Sequence, residues 1–137
     1  MEVRGCDCGS FPMIAALGPL CRGLLYDADA RAAAIALTAG LDWDARQALA
    51  DQVPRAGLAT PVGTTTVGAL ARALVAIAAD GLRRMGSADS VSLLDPVVAI
   101  AESGRTEADH IIDVWRTTGG DPARVIAALA HPGLDGR

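Results

Sequence analysis

One short extended segment at the N-terminus most limits what this chain can fold into. Residues 2–6 are the one convincing strand candidate in the 137-residue sequence, and the rest favours helices. A lone strand needs sheet partners, because its backbone N–H and C=O groups are otherwise unpaired. We therefore expect a mainly α-helical chain with one N-terminal strand. The strands that would pair with it must belong to another chain or to a preceding portion of the protein. Otherwise no sheet forms.

Apolar residues recur with helical spacing after the strand. We expect about six helices, drawn from seven candidate stretches at 13–26, 28–38, 43–53, 65–85, 91–102, 106–118 and 121–130. Alanine-rich runs favour helix and permit close helix packing. Ile111, Ile112 and Trp115 share one helix side, which we expect to be buried. Residues 54–64 should form a loop.

Helix boundaries are marked by capping and breaking residues. Asp27, Asp42 and Thr65 or Thr66 are expected N-caps, and Asp121-Pro122 is a strong start signal. Thr106 with Asp109 resembles a capping box. Pro54 should stop the third helix, whereas Gly18-Pro19 should kink or split the first.

Size and composition exclude several classes of protein. The length fits a single domain over residues 1–137, with a loose tail at 132–137. A net charge of −4 argues against a nucleic-acid surface. No apolar run reaches the ~18 residues of a membrane span. We therefore expect a cytoplasmic protein without membrane association, and its three cysteines to be reduced.

The predicted strand places several reactive side chains together. Glu2 and Arg4 point to the same face, and a carboxylate beside a guanidinium suits a site for a divalent cation and a phosphate. The same pair could instead form a cross-strand salt bridge. Cys6 and Cys8 share that face, but two thiolates do not complete a zinc site, so we expect them to line a pocket. A thiol or metal role remains an alternative for both. Asp7 should form a turn or hydrogen bond at the strand end.

Seven sequence segments together resemble one enzyme family. They read E-V-R-G-C-D at 2–7, A-L at 16–17, G-L-L-Y-D at 23–27, V-P-R-A-G-L at 53–58, A-D-G-L-R-R at 79–84, L-L-D-P-V at 93–97 and S-G-R-T-E-A-D at 103–109. In this order and spacing, over residues 2 to about 116, they resemble glutamate–cysteine ligases of the plant and proteobacterial type. No single motif is decisive, but the ordered set is specific.

The resemblance implies an activity and a site. It implies the C-terminal part of an α+β ligase fold whose sheet is mostly missing here. The family joins the side-chain carboxylate of glutamate to the amino group of cysteine, the first step of glutathione synthesis, using ATP and magnesium through an acyl phosphate. By position, Glu2 becomes a magnesium ligand and Arg4 the catalytic contact to phosphate or substrate carboxylate. The implied partner is the N-terminal ligase portion, or a second copy joined through the N-terminal strand. The chain alone should be inactive.

Several segments depart from the family pattern. Ser10-Phe11-Pro12-Met13 replaces a P-W-R-R segment and loses two basic residues, and Cys21 replaces a tryptophan. The usual family ending is reduced to Gly119-Gly120-Asp121-Pro122. These losses support an alternative, a non-catalytic helical interaction or regulatory module descended from the ligase.

Overall fold

The computed structural model describes residues 9–130. Contacts between residues divide the chain after Gly104 into two compact units. The predicted strand at 2–6 and the predicted tail at 132–137 lie outside the described residues. None of the helices within residues 9–130 has the length and apolar character needed to cross a membrane.

The first unit, described over residues 9–104, is mainly helical. Its α-helices are α1 (Phe11–Leu25), α2 (Ala28–Leu37), α3 (Trp43–Ala56), α4 (Val67–Arg84) and α5 (Asp95–Ser103). Two 3₁₀ helices lie at Gly57–Ala59 and Ala88–Leu94. This architecture confirms the mainly α prediction.

Three predicted N-caps are present in the first unit. The side chain of Asp27 accepts a hydrogen bond from the Ala30 N–H at 2.8 Å. Asp42 does the same for Ala45 at 2.8 Å, and Thr66 for Ala69 at 3.2 Å. Each cap satisfies a backbone donor that has no partner within the first helical turn.

Proline behaves differently from the prediction at two places. Pro19 lies inside α1, which continues as one helix, so a split there is wrong. Pro54 lies inside α3, which ends at Ala56, so Pro54 does not stop it. In the last turn a proline removes one backbone hydrogen bond, and few further residues depend on it. In α1, packing of the helix against α4 outweighs the local preference.

The predicted loop at 54–64 contains a strand that the sequence did not reveal. β1 (Pro61–Val62) pairs antiparallel with β2 (Thr65–Thr66), with Val62 opposite Thr65. Two-residue strands carry too little alternation of apolar and polar residues to be recognised. Thr60, just before β1, is fully buried, and its hydroxyl donates to the Gly57 carbonyl at 2.8 Å.

The core of the first unit lies along α4. Ala78 and Leu82 are buried there together with Leu94, which closes the second 3₁₀ helix. Leu20 and Leu24 of α1 pack against these residues. The core is therefore built from leucine and alanine, as the near absence of aromatic residues requires.

The second unit, described over residues 105–130, contains α6 (Glu107–Thr117) and α7 (Pro122–Leu129). The predicted capping box is present: Asp109 N–H donates to the Thr106 hydroxyl, and Thr106 N–H donates to the Asp109 carboxylate. At the other end of α6, Gly120 N–H donates to the Trp115 carbonyl at 2.9 Å. This bond and the positive φ of Gly119 and Gly120 form a Schellman-type end.

One prediction for the second unit is wrong. Ile111, Ile112 and Trp115 were expected to be buried, but each is close to half exposed. Two short helices have too little surface to enclose three large side chains. Trp115 instead packs over Gly120, where an added Cβ would lie 3.2 Å from the indole ring.

Candidate functional site

The residues predicted to carry chemistry all precede the described range. They are Glu2, Arg4, Cys6, Asp7 and Cys8, and the structure describes residues 9–130. Their predicted roles therefore stay predictions. What the structure does describe is how the other motif segments are used.

Two motif segments meet where α1 crosses α4. A Cβ added to Gly81 would lie 2.1 Å from the carbonyl oxygen of Gly23. A Cβ added to Gly23 would lie 2.2 Å from the carbonyl oxygen of Ala78. Both separations are far shorter than atoms tolerate, so only glycine allows the two backbones to touch. The G-L-L-Y-D and A-D-G-L-R-R segments are thus in direct contact.

An ion pair fixes the same two segments beyond the crossing. The Asp27 Oδ1 accepts hydrogen bonds from Arg84 Nε at 3.0 Å and Arg84 Nη2 at 2.6 Å. The Asp27 side chain is 14% exposed and that of Arg84 is 43% exposed. The Arg84 guanidinium, followed by the Ala30 N–H, lowers the pKa of Asp27 below its usual value. Asp27 in turn raises the pKa of Arg84.

Arg84 therefore acts across the fold rather than on a ligand. Both Arg83 and Arg84 lie in the last turn of α4, where positive charge favours the helix dipole. Arg83 donates to Asp80 on its own helix at 2.7 Å. The contact of Arg84 with Asp27 was not predicted.

The remaining motif segments in the described range also have architectural roles. A Cβ added to Gly68 would lie 3.0 Å from the carbonyl oxygen of Leu58, so V-P-R-A-G-L ends against the start of α4. Leu94 of L-L-D-P-V lies in the core beside Leu82. Thr106 and Asp109 of the last segment form the capping box of α6. The motifs described here thus build the scaffold.

One cleft lies between α4 and α5. It has a volume of about 240 Å³ and is lined in part by Val75, Leu94 and Val98. Two arginines, Arg72 and Arg83, and two carboxylates also line it, at Asp95 and Glu102. Arg72 Nη1 donates to the Ala101 carbonyl at 3.0 Å. The cleft thus has an apolar wall with side chains of both charges around it.

Metal-ligating side chains are not clustered in the described part of the chain. Between residues 9 and 130, no three His, Cys, Asp or Glu side chains lie close enough together to hold a metal ion. Mg²⁺ takes oxygen ligands in a near-octahedral arrangement and usually adds substrate phosphates. Glu2, the predicted magnesium ligand, lies outside that range and stays a prediction.

The sequence contained a signal for the unpredicted contact between α1 and α4. Asp27 follows Gly23 by four residues, and Arg84 follows Gly81 by three. In each segment a charged residue thus follows the glycine by about one helical turn, and the charges in the two segments have opposite signs. This shared spacing is what two helices need if they touch at their glycines and form an ion pair one turn later. The spacing does not by itself say which helices meet.

Comparison with known proteins identifies the sequence relatives of this chain. No protein-family model matches it. The chain is 34% identical over 117 residues to the chloroplastic glutamate–cysteine ligase of Brassica juncea, and 33% identical over 117 residues to that of Arabidopsis thaliana. It is 32% identical over 117 residues to chloroplastic glutamate–cysteine ligase A of Oryza sativa subsp. indica.

These alignments cover most of this chain but a minor part of each relative. They include 84% of this chain against 22% of the Brassica and Arabidopsis proteins, and 85% against 24% of the rice protein. The chain thus spans about a fifth to a quarter of the length of the curated relatives it matches. Over the aligned residues the chain corresponds to a portion of a glutamate–cysteine ligase, as its motifs predict.

Proposed function

We propose that this chain is the C-terminal, helical part of an ATP-dependent ligase that joins glutamate to cysteine. The observation that carries the proposal is the 117-residue similarity to the Brassica juncea ligase, which includes 84% of this chain. Because that alignment covers 22% of the relative, the proposal includes a second, sheet-bearing ligase portion that completes the site. The isolated chain is then inactive.

In this proposal the described helices and the N-terminal residues have different roles. The described helices supply a scaffold, held by the Gly23–Gly81 contact and the Asp27–Arg84 pair. Glu2 and Arg4 would enter the shared site, Glu2 as a magnesium ligand and Arg4 toward phosphate or a substrate carboxylate. Cys6, Asp7 and Cys8 would line the pocket. Magnesium and ATP are placed in the completed ligase.

Location in the cell is part of the proposal as well. The relatives are named as chloroplastic proteins. For this chain we keep the cytoplasmic location predicted from its sequence.

Co-expression with the rest of a ligase tests the proposal. The partner is the Brassica juncea ligase without the residues that align with this chain. We expect ATP-dependent formation of γ-glutamylcysteine from the mixture and none from either part alone. Glu2→Ala and Arg4→Ala should each reduce the rate about a hundredfold, because each removes a charge contact at the reacting groups.

A matched control separates the site from general effects of charge removal. Arg55 is exposed on α3, and Arg55→Ala should leave the rate unchanged. A complex that forms but makes no product would contradict the ligase proposal. That result would favour the non-catalytic interaction module.

A further inference from the structure

Helix α1 is apolar on two opposite sides. One side carries Ala16, Leu20, Gly23 and Leu24, which are buried or pack against the core of α4. The opposite side carries Phe11, Ile14, Gly18, Arg22 and Tyr26, at spacings of three and four residues, and is called here the outer face of α1. Tyr26 is the residue that caps the helix C-terminus.

The outer face of α1 is open to solvent in this chain. Phe11 is 80% exposed, Tyr26 is 75% exposed and Ile14 is 47% exposed. Apart from Arg22, this face is without charge, and a helix with apolar residues on opposite sides is ordinarily buried on both, because exposed apolar area is unfavourable in water. The outer face therefore has the composition of an interior surface.

The outer face also contains a hollow that a partner's side chains can fill. A Cβ added to Gly18 would meet no atom within 4 Å. Gly18, Arg22 and Tyr26, with Cys21 and Met85, line a shallow hollow of about 580 Å³. Large side chains lie at both ends of the face and a gap lies between them. A partner's side chains can pack into such a surface.

We propose that the outer face of α1 docks on the apolar face of the β-sheet in the remaining ligase portion. This inference rests on the proposed function. The sequence relatives are four to five times as long as the part that matches, so ample chain exists to cover the face. A sheet on one side and α4 on the other make α1 a middle layer, which explains two apolar sides.

A charged substitution on the outer face tests the docking. Ile14→Glu puts a carboxylate into the proposed interface, and the matched control is Ile35→Glu on α2, where the isoleucine is 65% exposed. The probe is the Brassica juncea ligase lacking the aligned residues, and the dissociation constant is measured by analytical ultracentrifugation. We expect Ile14→Glu to weaken binding at least about tenfold and Ile35→Glu to leave it within about twofold.

A second variant guards against loss of folding. Gly18→Gln fills the hollow without adding a charge, and circular dichroism checks that the helix content is kept while binding falls. Product formation is assayed on the same mixtures. An active complex whose affinity is unchanged by Ile14→Glu and by Gly18→Gln would overturn the docking and leave the ligase proposal standing. A complex that these variants weaken but that makes no product would support the docking and contradict the ligase proposal.

The remaining outcomes also decide the matter. Failure of the unsubstituted chain to bind the probe would overturn the docking. So would self-association of this chain that Ile14→Glu abolishes without binding to the probe, because the occupant would then be a second copy.

Discussion

The helix pair α1–α4 in the first unit and the pair α6–α7 in the second unit are held together in different ways. In α1–α4 the backbones touch at Gly23 and Gly81, and Asp27 joins Arg84 across 57 residues of sequence. In α6–α7 the clearest interactions are local. Thr106 and Asp109 cap α6, and Arg105, just before that helix, pairs with Asp113 on it.

The difference shows what a motif segment does in each region. G-L-L-Y-D and A-D-G-L-R-R form a contact between distant parts of the chain. This contact exists only when α1 packs against α4. The segment around Thr106 specifies the start of one helix and needs no distant partner. Motifs of the first kind require tertiary structure to be interpreted, and motifs of the second kind do not.

The largest expected effect is loss of the core side chain beside the α1–α4 contact. Leu82→Ala should lower the free energy of unfolding by about 3 kcal/mol, because Leu82 is fully buried and its removal leaves a cavity. Urea denaturation followed by circular dichroism measures it. A loss below about 1 kcal/mol would mean that the first unit is not organised around α4.

The glycine contact should be the next most sensitive feature. Gly81→Ala should cost about 2 kcal/mol, because its Cβ would overlap the Gly23 carbonyl oxygen and force α1 and α4 apart. Gly40→Ala is the control away from the contact, where an added Cβ meets no other part of the chain and φ is not positive, and it should change the free energy of unfolding by less than about 0.5 kcal/mol. Equal effects of the two substitutions would show that the backbones are not in contact.

Lowering the pH should reduce the stability of the two regions through different carboxylates. The pKa of Asp27 is lowered chiefly by Arg84, and that of Asp109 by the Thr106 N–H and hydroxyl. A carboxyl whose pKa is lower in the folded state adds stability that is complete above its ordinary pKa, near pH 4. That stability is lost as the pH falls through the lower, folded value.

Substitution by asparagine isolates this charge, since the amide oxygen can still cap the helix. Asp27→Asn should weaken the dependence of amide-exchange protection on pH below about pH 4 in α1, α2 and α4, and Asp109→Asn should do so in α6. Hydrogen exchange followed by NMR at pH 5 and below measures both. An unchanged pH dependence in both variants would contradict the assigned roles of the carboxylates.

The smallest effect is expected on α7. Ile126 is 70% exposed, so Ile126→Ala should change the free energy of unfolding by less than about 0.5 kcal/mol. Val125, which is buried on the same helix, gives the matched substitution Val125→Ala, and this should cost more. A larger loss for Ile126→Ala in urea denaturation would show that α7 uses the opposite side.

Local signals in the sequence predicted the helices well. Asp27, Asp42, Thr66 and Thr106 cap helices as expected, since a cap involves residues within one turn. The same reasoning failed at Pro54, where local rules exaggerate the effect of proline near a helix end. The candidate site residues Glu2 and Arg4 were selected from side-chain chemistry and family resemblance, and they stay predictions.

The sequence by itself determined the mainly helical architecture, most helix boundaries and the kinship with glutamate–cysteine ligases. These depend on periodicity, capping and residue order, all of which can be compared along the chain. Tertiary structure alone decided that Gly23 meets Gly81, that Asp27 meets Arg84, and that Trp115 and the outer face of α1 are left exposed. Burial and ion pairing depend on which surfaces pack together, and an apolar stripe has the same pattern whether its partner is present or absent.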